Sequence, residues 1–234
     1  MDFQREIPYR GTSSYVTRLV IEKLTFYAQL GLQYSTVNSQ FPMSNTIRTF
    51  IAIELPEKII YTIGKVQEKI KSYGFKIRWV RTENIHLTLK FLGDIKEADT
   101  EKVARAISES VKGYHPILLA VKGIGVFPGI KRPRVIWLGI SKQLDLLTEL
   151  QKTLDEKLEA ISFPKEKRPF KGHLTLGRIK SKIDAKRLYD VLKDFTKFES
   201  EHFFADRIIL YKSELKPKGA VYTKLTEAYL VKKL

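Results

Sequence analysis

No cysteine occurs among the 234 residues, so disulfides are excluded and no thiolate is available to hold a metal. That favours an intracellular setting, and the cytoplasm is the expected location. No apolar run is long enough to span a bilayer; the most apolar early stretch, 16–32, is broken by Arg18, Glu22 and Lys23. The basic segment, apolar segment and small-residue cleavage site of a secretory signal are missing too, and no membrane partner is expected. Glycine-rich phosphate loops of the Walker or dinucleotide type are absent. So are HxH, HExxH and acidic clusters with metal-ligand spacing, so neither a metal nor a cofactor is expected.

What the chain has in excess is positive charge, +16 at neutral pH with a pI near 9.8. A basic surface concentrates polyanions and speeds their encounter, which points to nucleic acid. The competing explanation is the Lys-, Arg- and Glu-rich, Cys- and Met-poor surface of a heat-adapted protein. Hydrophobic content of 43% with 29% charged residues suits a globular chain with a sizeable core.

The charge is unevenly spread. Residues 1–42 hold a single lysine, Lys23, and sum to +1, which leaves +15 for 43–234. Residues 1–43 are read as an N-terminal extension and 44–234 as the functional domain, with Met43, the only methionine after Met1, marking the working start.

Two tetrapeptides are identical, His86-Leu87-Thr88-Leu89 and His173-Leu174-Thr175-Leu176, 87 residues apart in a chain with four histidines. Sliding the sequence by 87 lays the β-branched run 46–53 over 133–140 and the helical pattern 56–73 over 143–160. It continues with a second helix, 97–111 over 184–198, and a strand, 117–126 over 204–213. The strand 221–230 would begin a third copy and complete the first lobe's sheet. Turn signals at Phe127-Pro128-Gly129 and Lys216-Pro217-Lys218-Gly219 join strand to strand, as hairpins do. The expected fold is α+β and bilobal. Two interleaved lobes are related by a pseudo-twofold axis, each a mostly antiparallel sheet with helices outside, and the cleft lies between them.

In a strand, side chains at i and i+2 share a face about 6.6 Å apart. His86 and Thr88 therefore project together, as do His173 and Thr175, while the four leucines point into apolar packing. A pseudo-dyad that set the two surfaces face to face would flank a phosphodiester with two imidazoles, one neutral to activate water and one protonated to supply a proton. The threonines would donate to the non-bridging oxygens as their charge grows. His115 and His202, also 87 apart, have no threonine at i+2 and are read as structural. Lys90 keeps the parity of His86 and Thr88 and is a candidate phosphate contact. Arg178 is a second candidate phosphate contact, although it is out of phase with Thr175 unless its strand bulges or ends there. Phe50 and Trp137 are read as core packing before base stacking.

The stretches Arg48-Thr49-Phe50-Ile51-Ala52-Ile53-Glu54-Leu55-Pro56, Trp79-Val80-Arg81, Asn84 through Gly93, Phe127-Pro128, Arg132 through Gly139 and His173 through Arg178 resemble the 2H phosphoesterases. The branch they are most similar to is the bacterial and archaeal RNA 2′,3′-cyclic phosphodiesterases, also called 2′-5′ RNA ligases of the LigT type. The resemblance covers about 47–230. It implies hydrolysis of RNA 2′,3′-cyclic phosphate ends, tRNA-like or oligonucleotide, to 2′-phosphates, with reversible 2′-5′ joining. It also implies that His86 is the proton donor, that His173 is the proton acceptor and that Thr88 and Thr175 bind phosphate. A monomer is expected. Where a proline is common before the second motif this chain has Lys171-Gly172. The alternatives are a non-catalytic RNA or nucleotide binder, and a cyclic-nucleotide or tRNA-splicing-type phosphodiesterase, on the same scaffold. If Met43 is the working start, N-terminal mass spectrometry of protein from its native host finds no peptide from 1–42; recovery of one would show the extension to be translated.

Overall fold

The computed structural model describes residues 45–217 and 219–231, so the proposed extension lies outside the described residues. The expected first strand is β1, Thr46–Ile53, with Ile47, Ile51 and Ile53 turned into the main core. After Pro56 the chain enters helix α1, Glu57–Lys71. Glu57 in its first turn and Lys69 and Lys71 in its last complement the helix dipole. Ile59, Ile63, Val66 and Ile70 form its buried stripe. A short strand β2, Ile77–Trp79, precedes β3, Leu87–Lys96. Next come helix α2, Thr100–Ser110, and the hairpin of β4, Ile117–Phe127, with β5, Val135–Lys142.

Helix α3, Leu144–Glu159, buries Leu147, Leu150, Leu154 and Leu158, whereas Leu144 at its start is exposed. Strand β6, His173–Ile179, leads to helix α4, Ala185–Lys193. The Asp184 carboxylate caps α4 by accepting the Arg187 N–H at 2.7 Å. This helix stops short of the expected 198, and Phe195 just beyond it is buried in the core. Strands β7, Glu199–Ala205, β8, Arg207–Lys216, and β9, Gly219–Tyr229, complete the chain.

All recorded strand pairs are antiparallel, in the order β7-β4-β5-β6-β3-β1-β8-β9, with β2 on β6. The sheet has two halves, β6-β5-β4-β7 and β3-β1-β8-β9, that meet at the single pair Leu87–Leu174. The two central motif leucines thus sit at the pseudo-dyad, both fully buried. The fold is the expected α+β arrangement with two interleaved lobes: β4 of the first repeat lies in the second half, and β8 of the second repeat in the first. Strand β9 completes the first lobe's sheet, as expected. Among the described residues no helix is long and apolar enough to cross a membrane.

Two expectations are corrected. The run 204–213 is not one strand: it divides at Asp206, bonding β4 before it and β1 after it, because there the chain crosses between halves. His202 therefore lies inside β7, opposite Ala120. The repeat offset is also not uniform. Ile53 faces Leu87 in the first half and Leu138 faces Leu174 in the second, so the first strands correspond at 85 residues while the motifs correspond at 87. A slip of two leaves the inward and outward faces of a strand unchanged and so leaves no mark in its hydrophobic pattern.

The helices pack on the face that carries Ile51, Leu87, Leu138 and Leu174. Lys90 belongs to this buried side as well. Its ammonium pairs with the Asp155 carboxylate of α3 and donates to the Pro164 carbonyl at 2.7 Å. Removing one partner of such a pair leaves an uncompensated buried charge. Lys90→Met or Asp155→Leu alone is expected to lower unfolding free energy by about 3–5 kcal/mol in denaturant titration, with the double variant near wild type. Additive losses in the double variant would show that the two charges do not stabilise each other.

Candidate active site

His86 stands just before β3 and His173 opens β6, so both rings flank the central leucine pair. His86 Nδ1 bonds the carbonyl of Asn84 at 2.8 Å, and His173 Nδ1 bonds that of Lys171 at 2.7 Å. A carbonyl only accepts, so Nδ1 carries the proton in each ring and Nε2 is left to exchange one with a ligand. The repeat has thus duplicated a tautomer as well as a residue. The rings are close enough that charge on His173 disfavours charge on His86. Burial is the larger effect, and together they push the His86 pKa down to about 4 against the pull of the Asn84 carbonyl.

The cleft face is built by cross-strand partners, which share a side of the sheet. In the first half Thr88 lies opposite Ala52, and Phe50 lies between Phe91 and Tyr211. In the second half Thr175 lies opposite Trp137, and Arg178 opposite Val135. Both motif strands then bulge at the same repeat position. Leu89 is the extra residue between Thr88 and Lys90, and Leu176 that between Thr175 and Gly177. The bulged carbonyl of Leu176 is satisfied by the Val80 N–H at 2.9 Å and by Gln67 Nε2 at 3.0 Å.

These bulges reverse the parity beyond each threonine. Lys90, expected as a phosphate contact, is carried to the core face and is not part of the cleft. Arg178 and its repeat mate Phe91 are carried to the cleft face instead, and both are exposed there. Among the predicted residues, His86, His173, Thr88, Thr175 and Arg178 come together, and His115 remains apart, its Nδ1 bonded to the Val231 carbonyl at 2.7 Å.

Each histidine rests on aromatic rings. Phe50 is buried and stacks on His86 at 4.6 Å, with Tyr222 edge-on to the same imidazole at 5.4 Å. Burial raises the pKa of both Tyr211 and Tyr222, so the two phenols stay protonated. Beside His173, Phe127 stands edge-on at 5.0 Å and stacks on Trp137 at 4.9 Å. The Trp137 ring lies against Gly125, where a Cβ would come within 2.3 Å of it. Trp137 is half-buried, so the core reading holds for Phe50 and only partly for Trp137. Sequence reasoning does not single out Phe127, Tyr211, Tyr222 or Asn84 as site residues. Register and packing bring them here, and no spacing rule marks them.

A cleft of about 440 Å³ opens beside Thr175, lined by Asn84, Arg78, Arg81, Arg178 and Tyr222. Among the described residues no group of three or more His, Asp or Glu side chains is placed to hold a metal. The arrangement supplies two imidazoles poised for proton transfer, two hydroxyls and a guanidinium, a set suited to acid–base chemistry on an anion.

Comparison with known proteins agrees with this geometry. The family described as LigT like Phosphoesterase matches twice in tandem, over residues 53–137 and 138–222. The start points are 85 residues apart, the spacing that the strand register gives for the first strands. The chain is 39% identical over 181 residues to the RNA 2′,3′-cyclic phosphodiesterase of Methanocaldococcus jannaschii, covering 77% of this chain and 99% of that one. It is 31% identical over 177 residues to the protein of the same name from Methanothermobacter thermautotrophicus, covering 76% and 95%. Among solved structures, TT0787 of Thermus thermophilus superposes with a TM-score of 0.66 at 27% identity, over 80% of this chain and all of that one. Apo LigT of Escherichia coli shares the fold, with a TM-score of 0.63 at 24% identity over 81% of this chain and 100% of that one. With two tandem matches and relatives of this similarity, the chain belongs to the LigT-like phosphoesterase family.

Proposed function

We propose that the protein hydrolyses RNA 2′,3′-cyclic phosphate ends to 2′-phosphomonoesters by metal-independent catalysis between two histidines. The reading draws on relatives named RNA 2′,3′-cyclic phosphodiesterase. The observation that carries it is the pair of Nδ1-anchored imidazoles on one cleft, each with a threonine two residues on. His173 Nε2 takes a proton from water as the water oxygen attacks phosphorus. The bond from phosphorus to O3′ breaks, and O3′ receives its proton from His86 Nε2. Thr88 and Thr175 donate to the non-bridging oxygens, with Arg178 beside them. With a 5′-hydroxyl in place of water, the same groups join two ends reversibly through a 2′-5′ linkage. The cytoplasm is the proposed setting, and the protein acts there as a monomer.

In the free protein His86 is neutral at pH 7, since its pKa lies near 4. The donor role therefore requires the phosphate's negative charge to raise that pKa, which an anion beside an imidazole does. Ring-proton NMR titration is expected to place the free His86 transition near pH 4 and to move it upward when a 2′-phosphate product binds. No upward movement would remove His86 as donor.

His86→Ala and His173→Ala are each expected to lower kcat on an oligoribonucleotide cyclic phosphate by roughly 10²- to 10⁴-fold while binding of the RNA end persists, and EDTA is expected to leave wild-type turnover unchanged. Product analysis by mass spectrometry, with location of the remaining phosphate, is the check. Binding without any product from the wild type would make the protein a non-catalytic RNA binder.

A further inference from the structure

Two arginines stand opposite each other on neighbouring strands beside the reaction site. Arg78 of β2 pairs directly with Arg178 of β6, both exposed on the cleft face. Like charges directly opposite in an antiparallel pair are destabilising, so the sheet carries a repulsion that an anion between them would relieve. Arg81 extends the same wall. Its guanidinium donates to the Ala220 carbonyl at 3.0 Å and lies 3.4 Å from Glu83. The charges of Arg178, Arg48 and Arg81 all reach the Tyr222 phenol.

These residues border two adjoining depressions. The one of about 440 Å³ holds Arg78, Arg81 and Thr175. The other, about 210 Å³, holds Arg48, Phe50 and Phe91. Arg178, Tyr222 and Leu215 line both, so the two form one track that begins at a motif threonine and runs under the β8–β9 hairpin. Its positive walls are interleaved with ring faces, Tyr222 half-buried and Phe91 61% exposed. Alternating guanidinium and aromatic surfaces suit a single strand, whose phosphates pair with the arginines while its bases stack. A compact anion such as inorganic phosphate would use the arginines and leave Phe91 bare.

We propose that this track binds the sugar-phosphate backbone of an RNA strand immediately 5′ of the reacting end, making an oligonucleotide terminus, rather than a cyclic mononucleotide, the preferred substrate. The proposal rests on the catalytic reading above. A cyclic phosphate at a 3′ end leaves the strand only its 5′ direction in which to continue, and the track is a charged path that starts at a motif threonine and is lined with ring faces.

The test compares 2′,3′-cyclic CMP with a short oligoribonucleotide ending in 2′,3′-cyclic phosphate, in wild type and in the double variant Arg48→Gln/Arg78→Gln. The oligonucleotide kcat/KM is expected to drop roughly tenfold in the variant, and the slope of its logarithm against log salt to shrink by about 0.7 for each arginine removed. Cyclic CMP turnover is expected to stay within about twofold, since Arg48 of β1 and Arg78 of β2 stand off the two motif strands whose side chains are proposed to hold the reacting phosphate. Equal losses on both substrates, or none on either, would overturn the track. Fluorescence anisotropy with the same oligonucleotide carrying a 2′-phosphate separates this proposal from the catalytic one. If the wild type turns over neither substrate, the catalytic reading fails. Weaker binding by the double variant would still uphold the track, and unchanged binding, or no binding by the wild type, would overturn it. Arg78→Gln is also expected to leave the thermal midpoint unchanged or higher; a clear drop would make Arg78 a structural residue and overturn its place in the track.

Discussion

The meeting of Leu87 with Leu174 is the contact on which the rest of this protein depends. It is the one recorded register pair between the two halves of the sheet, and both side chains are completely buried. Because each leucine follows a histidine and precedes a threonine, seating the leucines in the core turns both flanking side chains to the opposite face. Burial of two apolar groups thereby fixes four polar ones on the cleft face. A shift of one residue in either strand would bury the histidines and expose the leucines.

Around that contact the two halves are alike in backbone and unlike in environment. Both histidines give Nδ1–H to a carbonyl two residues earlier, and both strands bulge one residue past the threonine. The surroundings then diverge. His86 is stacked on Phe50 with Tyr222 at its edge, whereas His173 has Phe127 at its edge and Trp137 farther off. Equivalent imidazoles in unequal surroundings can hold different protonation states, which is what a reaction needing one acid and one base demands. Duplication supplied the pair, and divergence of the packing made its members distinct.

The bulges explain why the candidate phosphate contacts were only half legible. Strict alternation carries Lys90 onto the face of His86 and Thr88 and leaves Arg178 out of phase. One extra residue in each strand reverses both. Lys90 then meets Asp155 in the interior, and Arg178 enters the cleft opposite Arg78. Nothing in the identical His-Leu-Thr-Leu stretches signals a bulge, since Leu89 and Leu176 are as apolar as an inward strand residue would be. The stabilising partners, Gln67 and Val80 at Leu176, come from elsewhere in the chain. The crossing at Asp206 and the 85-residue spacing of the first strands were hidden for a related reason: hydrophobic pattern records which face a residue takes, and not which neighbour it bonds.

Local pattern was sufficient for most of the elements, the repeat, the antiparallel α+β architecture and the two His-Thr pairs, because periodicity and turn chemistry act over a few residues and are written directly in the chain. The family could be recognised from the same stretches. Tertiary structure alone decided which arginine reaches the cleft, which rings support each histidine, and that the β8–β9 hairpin overlies a charged track. Those outcomes depend on register and on partners more than a hundred residues away, such as Tyr222 against His86, and a linear pattern carries no information about distance in space.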